Sequence, residues 1–109
     1  MALSQAASEG PSYLHIIPLP EAKTGWQETE GMRYHFYADG TMTRRWYKEN
    51  NNWYYFDPDT GEMATGLRTI DGKRYFFYRD GRMARYVMFG RLVFDGNGVC
   101  IDILDMSSQ

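Results

Sequence analysis

The sequence predicts an all-β fold: an open stack, or solenoid, of β-hairpin repeats of about 20 residues, with a short capping strand at each end. Three observations predict it. Phenylalanine recurs at steps of 20, 21 and 17 residues, a glycine follows each of these by four or five, and a Met or Cys follows each glycine by two. The matching positions are Phe36, Phe56, Phe77 and Phe94; Gly40, Gly61, Gly81 and Gly98; and Met42, Met63, Met83 and Cys100. No window keeps a 3.6-residue period, so we expect little helix.

The predicted module spans residues 24–109, and its repeats lie near 24–42, 43–64, 65–84 and 85–100. Residues 1–23 are predicted to form a tail and an N-terminal capping strand, because the apolar stretch 13–20 carries prolines that suit a sheet edge. At the other end, apolar Val99, Ile101 and Ile103 alternate with other residues and predict a closing strand.

One copy shows the predicted hairpin most clearly. Residues 74–78 are rich in strand formers, residues 79–81 (Arg-Asp-Gly) give a turn signal, and residues 82–84 form a second, short strand. We therefore predict that each hairpin closes across this turn. The connections at 30–31, 50–52 and 71–72 are predicted only to interrupt regular structure.

Strand alternation divides the side chains between two faces. The face that is apolar in every copy is predicted to be the interior: Tyr34 and Phe36, Tyr54 and Phe56, Tyr75 and Phe77, Leu92 and Phe94. The other face varies between copies, with Arg33, His35 and Tyr37 in the first and Trp53 and Tyr55 in the second. We expect His35 there to lie on the surface or to contact a partner.

The residues offer little for catalysis or metal binding. All five serines lie in the terminal segments, and His15 lies within the apolar stretch, where packing explains it. Asp39, Asp59 and Asp80 occupy turns that favour Asp for local hydrogen bonding. The single Cys100 excludes an internal disulfide and a cysteine zinc site, and we expect it in the core. We predict a non-catalytic protein with no metal and no cofactor.

The repeat resembles the choline-binding or cell-wall-binding repeats of Gram-positive bacteria and their phages; glucan-binding repeats look similar. The residues that carry the resemblance are Thr24-Gly25-Trp26, Asn52-Trp53-Tyr54-Tyr55-Phe56, Gly61-Glu62-Met63-Ala64-Thr65-Gly66 and Gly72-Lys73-Arg74-Tyr75-Phe76-Phe77. In that family, Trp and Tyr from successive hairpins form cages that hold a quaternary ammonium by cation–π attraction. Each contact contributes on the order of 0.5–2 kcal/mol.

This sequence departs from the family at the cage positions. Arg33 and Arg74 replace two of the three strand tryptophans, and Leu67 and Val87 replace two of the four that follow glycine. The resemblance therefore implies at most one cage, drawn from Trp26, Trp46, Trp53 and Tyr55, and choline should bind weakly or not at all.

A basic block between residues 68 and 91 holds seven Lys or Arg against two acidic residues. It is either a solvated rim that keeps a ring-rich stack soluble, or a surface for phosphate or carboxylate groups. In the second interpretation the partner-binding residues are Arg74, Arg79, Arg82 and Arg85. An isoelectric point near 5.6 argues against nucleic acid as the partner.

Two functions remain open at this stage. One is a non-catalytic module that recognises a wall polymer or carbohydrate; the other is a small protein that binds an acidic protein surface, such as a phage- or mobile-element-encoded inhibitor of a host factor. The open ends of the stack could also pair two copies as a homodimer. No apolar run reaches the roughly 20 residues of a membrane span, and residues 1–10 lack a signal-peptide pattern. We expect no membrane partner, and a chain that is cytoplasmic as synthesised or that reaches the wall without a leader.

Overall fold

The computed structural model describes residues 24–103, and its elements are short strands in four successive hairpins. The predicted N-terminal capping strand and His15 lie outside these residues. The strands are β1 (Gly25–Thr29), β2 (Met32–Phe36), β3 (Arg45–Glu49), β4 (Asn52–Phe56), β5 (Gly66–Ile70), β6 (Lys73–Phe77), β7 (Val87–Phe89), β8 (Leu92–Phe94) and β9 (Cys100–Asp102). Each even-numbered strand pairs antiparallel with the one before it, and β9 adds to β8 at the C-terminal end. The predicted all-β hairpin solenoid is confirmed.

The turn that closes each hairpin was predicted wrongly. The hairpins close across the connections at 30–31, 50–51 and 71–72, where both residues of each turn have positive φ, for example 51° at Asn50 and 69° at Asn51. Two left-handed residues in succession match the twist of the flanking strands. Around Gly81 there is only an isolated bridge between Phe77 and Met83. The Arg82 N–H donates to the Asp80 carboxylate and the Arg82 carbonyl accepts from the Tyr78 N–H, so this loop is tight.

Backbone hydrogen bonds join one hairpin to the next in a repeating way. Met63 donates its N–H to the carbonyl of Arg33 at 2.9 Å, and Met83 donates to the carbonyl of Trp53 at 2.8 Å. Each methionine lies in the loop after one hairpin and bonds to the second strand of the hairpin one repeat earlier. These bonds fix the positions of the first three hairpins on one another, so the side chains between them meet in the same register at both steps.

Three phenylalanines form the centre of the stack. Phe56, Phe77 and Phe94 are no more than 1% exposed, as predicted for the interior face, and the neighbouring Met63 and Met83 are also buried. Tyr34 and Phe36 of the first hairpin, and Tyr54 and Tyr75 of the next two, are half-buried. Cys100 is buried in the core, as predicted. The interior thus contains one buried phenylalanine from each of the last three hairpins, together with flexible thioethers.

A methionine from each repeat occupies the notch beside the turn glycine of the next repeat. A Cβ atom built on Gly61, Gly81 or Gly98 would overlap the sulfur of Met42, Met63 or Met83. These glycines also have positive φ, between 79° and 96°. Glycine is therefore required at this position for two reasons, the backbone conformation and the close packing.

Over residues 24–103, no group of His, Cys, Asp and Glu has the arrangement of a metal site. The same part of the chain contains no helix long and apolar enough to cross a membrane.

The notch predicts a difference between two glycine-to-alanine variants. Gly72→Ala forces a left-handed alanine into open space, which costs roughly 1–2 kcal/mol. Gly81→Ala adds an overlap with buried Met63, so we expect a further loss of about 1–3 kcal/mol in the free energy of unfolding. Urea denaturation of both variants checks this; equal losses would show that Met63 moves aside without cost.

Candidate functional site

The places where two successive hairpins pack together share three equivalent positions. We name these places the first, second and third junctions, between the first and second, second and third, and third and fourth hairpins. The first position is the second residue of a hairpin's first strand, and the second position is the second residue of its second strand. The third position lies on the second strand of the following hairpin. The occupants of these positions are Trp26, Arg33 and Tyr54; Trp46, Trp53 and Tyr75; and Leu67, Arg74 and Leu92.

Only the second junction has aromatic rings at all three positions. The ring centroids of Trp46 and Trp53 lie 6.1 Å apart with planes at 89°, and those of Trp46 and Tyr75 lie 4.9 Å apart at 70°. The Trp46 ring therefore stands steeply to both the Trp53 ring and the Tyr75 ring. Burial raises the pKa of the Tyr75 phenol, which keeps the ring uncharged at neutral pH.

The rings line an open cavity of about 340 Å³, and its remaining lining residues are Met83, Gly96 and Asn97. Met83 is held there by the bond from its N–H to the Trp53 carbonyl. No charged residue lines the cavity. One cation lies nearby, since the Lys48 ammonium is 5.7 Å from the centroid of the Trp53 ring. The second junction is thus a neutral aromatic recess of the size usual for small ligands.

In the first junction a carboxylate satisfies the polar atoms of the rings. The indole N–H of Trp26 donates to Glu49 at 3.1 Å and the Tyr47 hydroxyl donates to it at 2.7 Å. These bonds lower the pKa of Glu49, and burial with the bond to Glu49 raises the pKa of Tyr47 to about 12. Trp26 also packs edge-on against Tyr54, at 5.0 Å. Ile70, the residue equivalent to Glu49 in the next hairpin, is buried and apolar.

The expectation that His35 lies on the surface or contacts a partner is wrong. His35 is only 6% exposed, its Nδ1 lies 2.7 Å from the Thr43 hydroxyl, and its ring packs against Trp26 and Tyr47. The physical reason is the stack itself, because the next hairpin covers the variable face of the first. Desolvation lowers the pKa of His35, although the nearby Glu49 acts in the opposite direction.

The third junction is wide and apolar. Its cavity of about 510 Å³ is lined by Leu67, Phe76, Tyr78, Phe89, Leu92 and Phe94. Leu67 stands where the other junctions have Trp26 and Trp46, and it is half exposed. The shape of a recess remains, but an aliphatic side chain replaces the ring that would face a cation.

Two of the four residues predicted for a cage, Trp46 and Trp53, line the recess. Tyr55 packs against Trp46 at 5.1 Å but lines a different, polar cavity beside Asp57 and Arg68. Trp26 belongs to the first junction. The third wall of the cavity, Tyr75, was assigned to the interior by strand alternation, and Met83 was treated only as a core residue. Counting one period forward from the first junction's Trp26 and Tyr54 could have paired Trp46 with Tyr75.

The four arginines predicted to bind a partner have different surroundings. Arg82 pairs with Asp80 at 2.8 Å and its guanidinium lies over the Tyr78 ring, while Arg85 donates to the carbonyl of Asn51 at 2.8 Å. Arg74 is half-buried on β6. Arg79 is exposed and lines a cavity in the first junction. A partner surface formed by all four remains a prediction.

The chain matches two known families of repeats. Residues 23–65 match the family model for the choline-binding repeat, and residues 65–83 match that for the cell wall binding repeat. The chain belongs to the choline-binding repeat family. No curated protein sequence matches the chain.

Several solved structures of choline-binding proteins are similar to this chain. Choline binding protein F from Streptococcus pneumoniae is 31% identical over 73% of this chain, with a TM-score of 0.71, and the match covers 27% of that protein. A choline-binding domain from the same species is 29% identical, with a TM-score of 0.68, over 72% of this chain and 95% of the domain. A pneumococcal cell wall endolysin from phage Cp-1, solved with choline, is 25% identical over 72% of this chain and 24% of that protein, with a TM-score of 0.56. The chain thus spans about a quarter of choline binding protein F.

The buried histidine of the first choline-binding repeat predicts a pH dependence of stability. Because the pKa of His35 is lowered below 6.5 in the folded state, the unfolded chain takes up the proton first as the pH falls below 6.5. The folded state therefore loses stability over that range. The contribution of Glu49, whose pKa is lowered, is retained until the pH falls below 4.5.

Thermal melts from pH 8 to pH 5 check this prediction. We expect the melting temperature of the natural protein to fall below pH 6.5, and that of His35→Gln, which can still bond to Thr43, to change much less. An equal fall in both proteins would assign the pH dependence to another group.

Proposed function

We propose that the chain is a wall-binding module without catalytic activity, and that its second junction holds a quaternary ammonium group such as that of choline. The single observation that carries the proposal is the recess formed by Trp46, Trp53 and Tyr75, which has three ring walls and no charged lining residue. Such a recess suits a cation that is bulky and apolar at its surface and that cannot donate hydrogen bonds.

The electrostatics of the rings support a cationic ligand. The face of an aromatic ring carries partial negative charge, and tryptophan has the strongest effect. Trp46 and Trp53 stand at 89°, so a single methylated ammonium can contact more than one face at once. A primary ammonium would lose more hydration without gaining a charged partner, because no carboxylate lines the cavity.

The expected affinity is modest. Three ring contacts of about 0.5–2 kcal/mol each sum to about 1.5–6 kcal/mol, a range that includes the roughly 4 kcal/mol of millimolar binding. The nearby Lys48 ammonium weakens binding further through like-charge repulsion. A single weak site agrees with the loss of the cage residues at Arg33, Leu67, Arg74 and Val87.

The comparisons support the wall-binding interpretation and give no support to the alternative, an inhibitor of a host factor. The matched models describe choline-binding and cell wall binding repeats. One similar structure contains choline, and choline binding protein F was solved in the presence of a peptidoglycan analogue. The polymer that this chain would recognise, and its pairing into dimers, stay predictions.

Choline titration followed by tryptophan fluorescence tests the proposal. We expect one saturable site of about millimolar affinity in the natural protein, and loss of that site in Trp53→Ala, because a wall of the recess is removed. Trp26→Phe is the matched control. It removes an indole from the first junction and should leave the choline affinity unchanged.

Two results would contradict the proposal. Binding that survives in Trp53→Ala would place the ligand elsewhere. No binding by the natural protein, with the far-ultraviolet spectrum of a folded β-protein, would mean that the recess does not hold a quaternary ammonium.

A further inference from the structure

The first junction presents two arginines where the second has uncharged groups. In the register of the repeats, Arg33 stands at the position of Trp53, and Arg79 stands at the position of Gly96, which lines the aromatic recess. Arg33 and Arg79 both line a cavity of about 300 Å³, together with Glu28, Met32, Met63 and Thr65. The two equivalent sites have thus diverged in charge.

The arginines come from different hairpins and are held close by the packing of the stack. The N–H of Met63 donates to the carbonyl of Arg33 at 2.9 Å. Met63, in the loop after the second hairpin, is therefore fixed beside Arg33. The Met63 side chain fills the notch at Gly81, two residues beyond Arg79. Met63 therefore connects the backbone at Arg33 to the loop that carries Arg79, and the cavity lies between them.

The charges lining this cavity are not balanced. Arg33 Nε lies 3.8 Å from Glu28, a loose contact between two side chains that are each about half exposed. Within residues 24–103, Arg79 has no carboxylate at salt-bridge distance. Its neighbour Asp80 is engaged by Arg82 at 2.8 Å. Two guanidinium groups therefore face the cavity against one carboxylate.

We propose that this cavity is an anion site that binds a phosphate group. Guanidinium groups that approach from different hairpins cannot both form a two-bond fork with one planar carboxylate. A phosphate has oxygens in tetrahedral directions, so it can accept from both arginines at once. The bound group would draw Arg33 away from Glu28. This site is separate from the aromatic recess and does not depend on whether choline binds there.

Nuclear magnetic resonance titrations at constant ionic strength test the proposal, with inorganic phosphate as the first probe and dimethyl phosphate as the second. We expect saturable shifts of the backbone amides of Arg33, Met63 and Arg79. Arg33→Gln and Arg79→Gln should each weaken phosphate binding about fivefold, as expected for partly exposed charges. Glu28→Gln should strengthen it, because a competing carboxylate is removed. Binding of dimethyl phosphate would assign the site to the diester of a polymer; binding of inorganic phosphate alone would assign it to a free or terminal phosphate.

Arg91→Gln is the matched control, since Arg91 is also an exposed arginine beside a carboxylate, at 3.2 Å from Asp102. It should bind phosphate like the natural protein. The proposal is overturned if Arg79→Gln binds as well as the natural protein does, or if shifts grow without saturation at all arginines alike. Choline titrations of Arg33→Gln and Arg79→Gln should remain unchanged, so failure of this site is distinguishable from failure of the aromatic recess.

Discussion

A two-stranded hairpin cannot cover its own rings, and this constraint shapes the whole chain. Phe56, Phe77 and Phe94 are almost completely buried because neighbouring repeats pack together. The loop that follows one hairpin bonds to the hairpin one repeat earlier. A methionine from one repeat then fills the notch at the turn glycine of the next. Isolated hairpins are marginal in water, so stability comes from contacts between neighbours. Phe, Gly and Met recur in the sequence because each repeat must make these contacts with its neighbour.

The same packing creates the sites. Each place where two hairpins meet has the same three positions, and the contacts that close the stack do not fix the residues at those positions. The second junction has two indoles and a phenol, the first has an arginine beside Trp26, and the third has Leu67 and Leu92 beside four aromatic rings. One backbone geometry therefore presents a cationic surface, a recess walled by aromatic rings and a wide apolar recess in succession. The chemistry of each junction depends on its side chains alone.

The sequence predicted what repeats and missed what depends on contact between repeats. The spacing of Phe and Gly was sufficient for the solenoid. The closing turn was assigned wrongly because turn signals flank each second strand on both sides, and the choice between them depends on pairing over five residues against one bridge. Arg45 shows the same limit: its φ of 66° matches that of Gly25 and Gly66 at the equivalent position, a conformation that its residue type does not predict.

Strand alternation also did not predict which side chains of the variable face are buried. His35 and Trp53 occupy the same variable face, yet the next hairpin covers His35 and leaves Trp53 on an open recess. Tyr75 was assigned to the interior from its own strand, although its ring is a wall of the recess between two hairpins. Such a site belongs to no single repeat, so it becomes visible only when the stack is assembled.

Of the three junctions described, the second alone has aromatic rings at all three equivalent positions, and we expect choline there. Intermolecular nuclear Overhauser effects between choline and the protein distinguish the three junctions. We expect contacts from the N-methyl protons of choline to the rings of Trp46, Trp53 and Tyr75, and none to Trp26. Contacts to the first or third junction, with none to the second, would contradict this expectation.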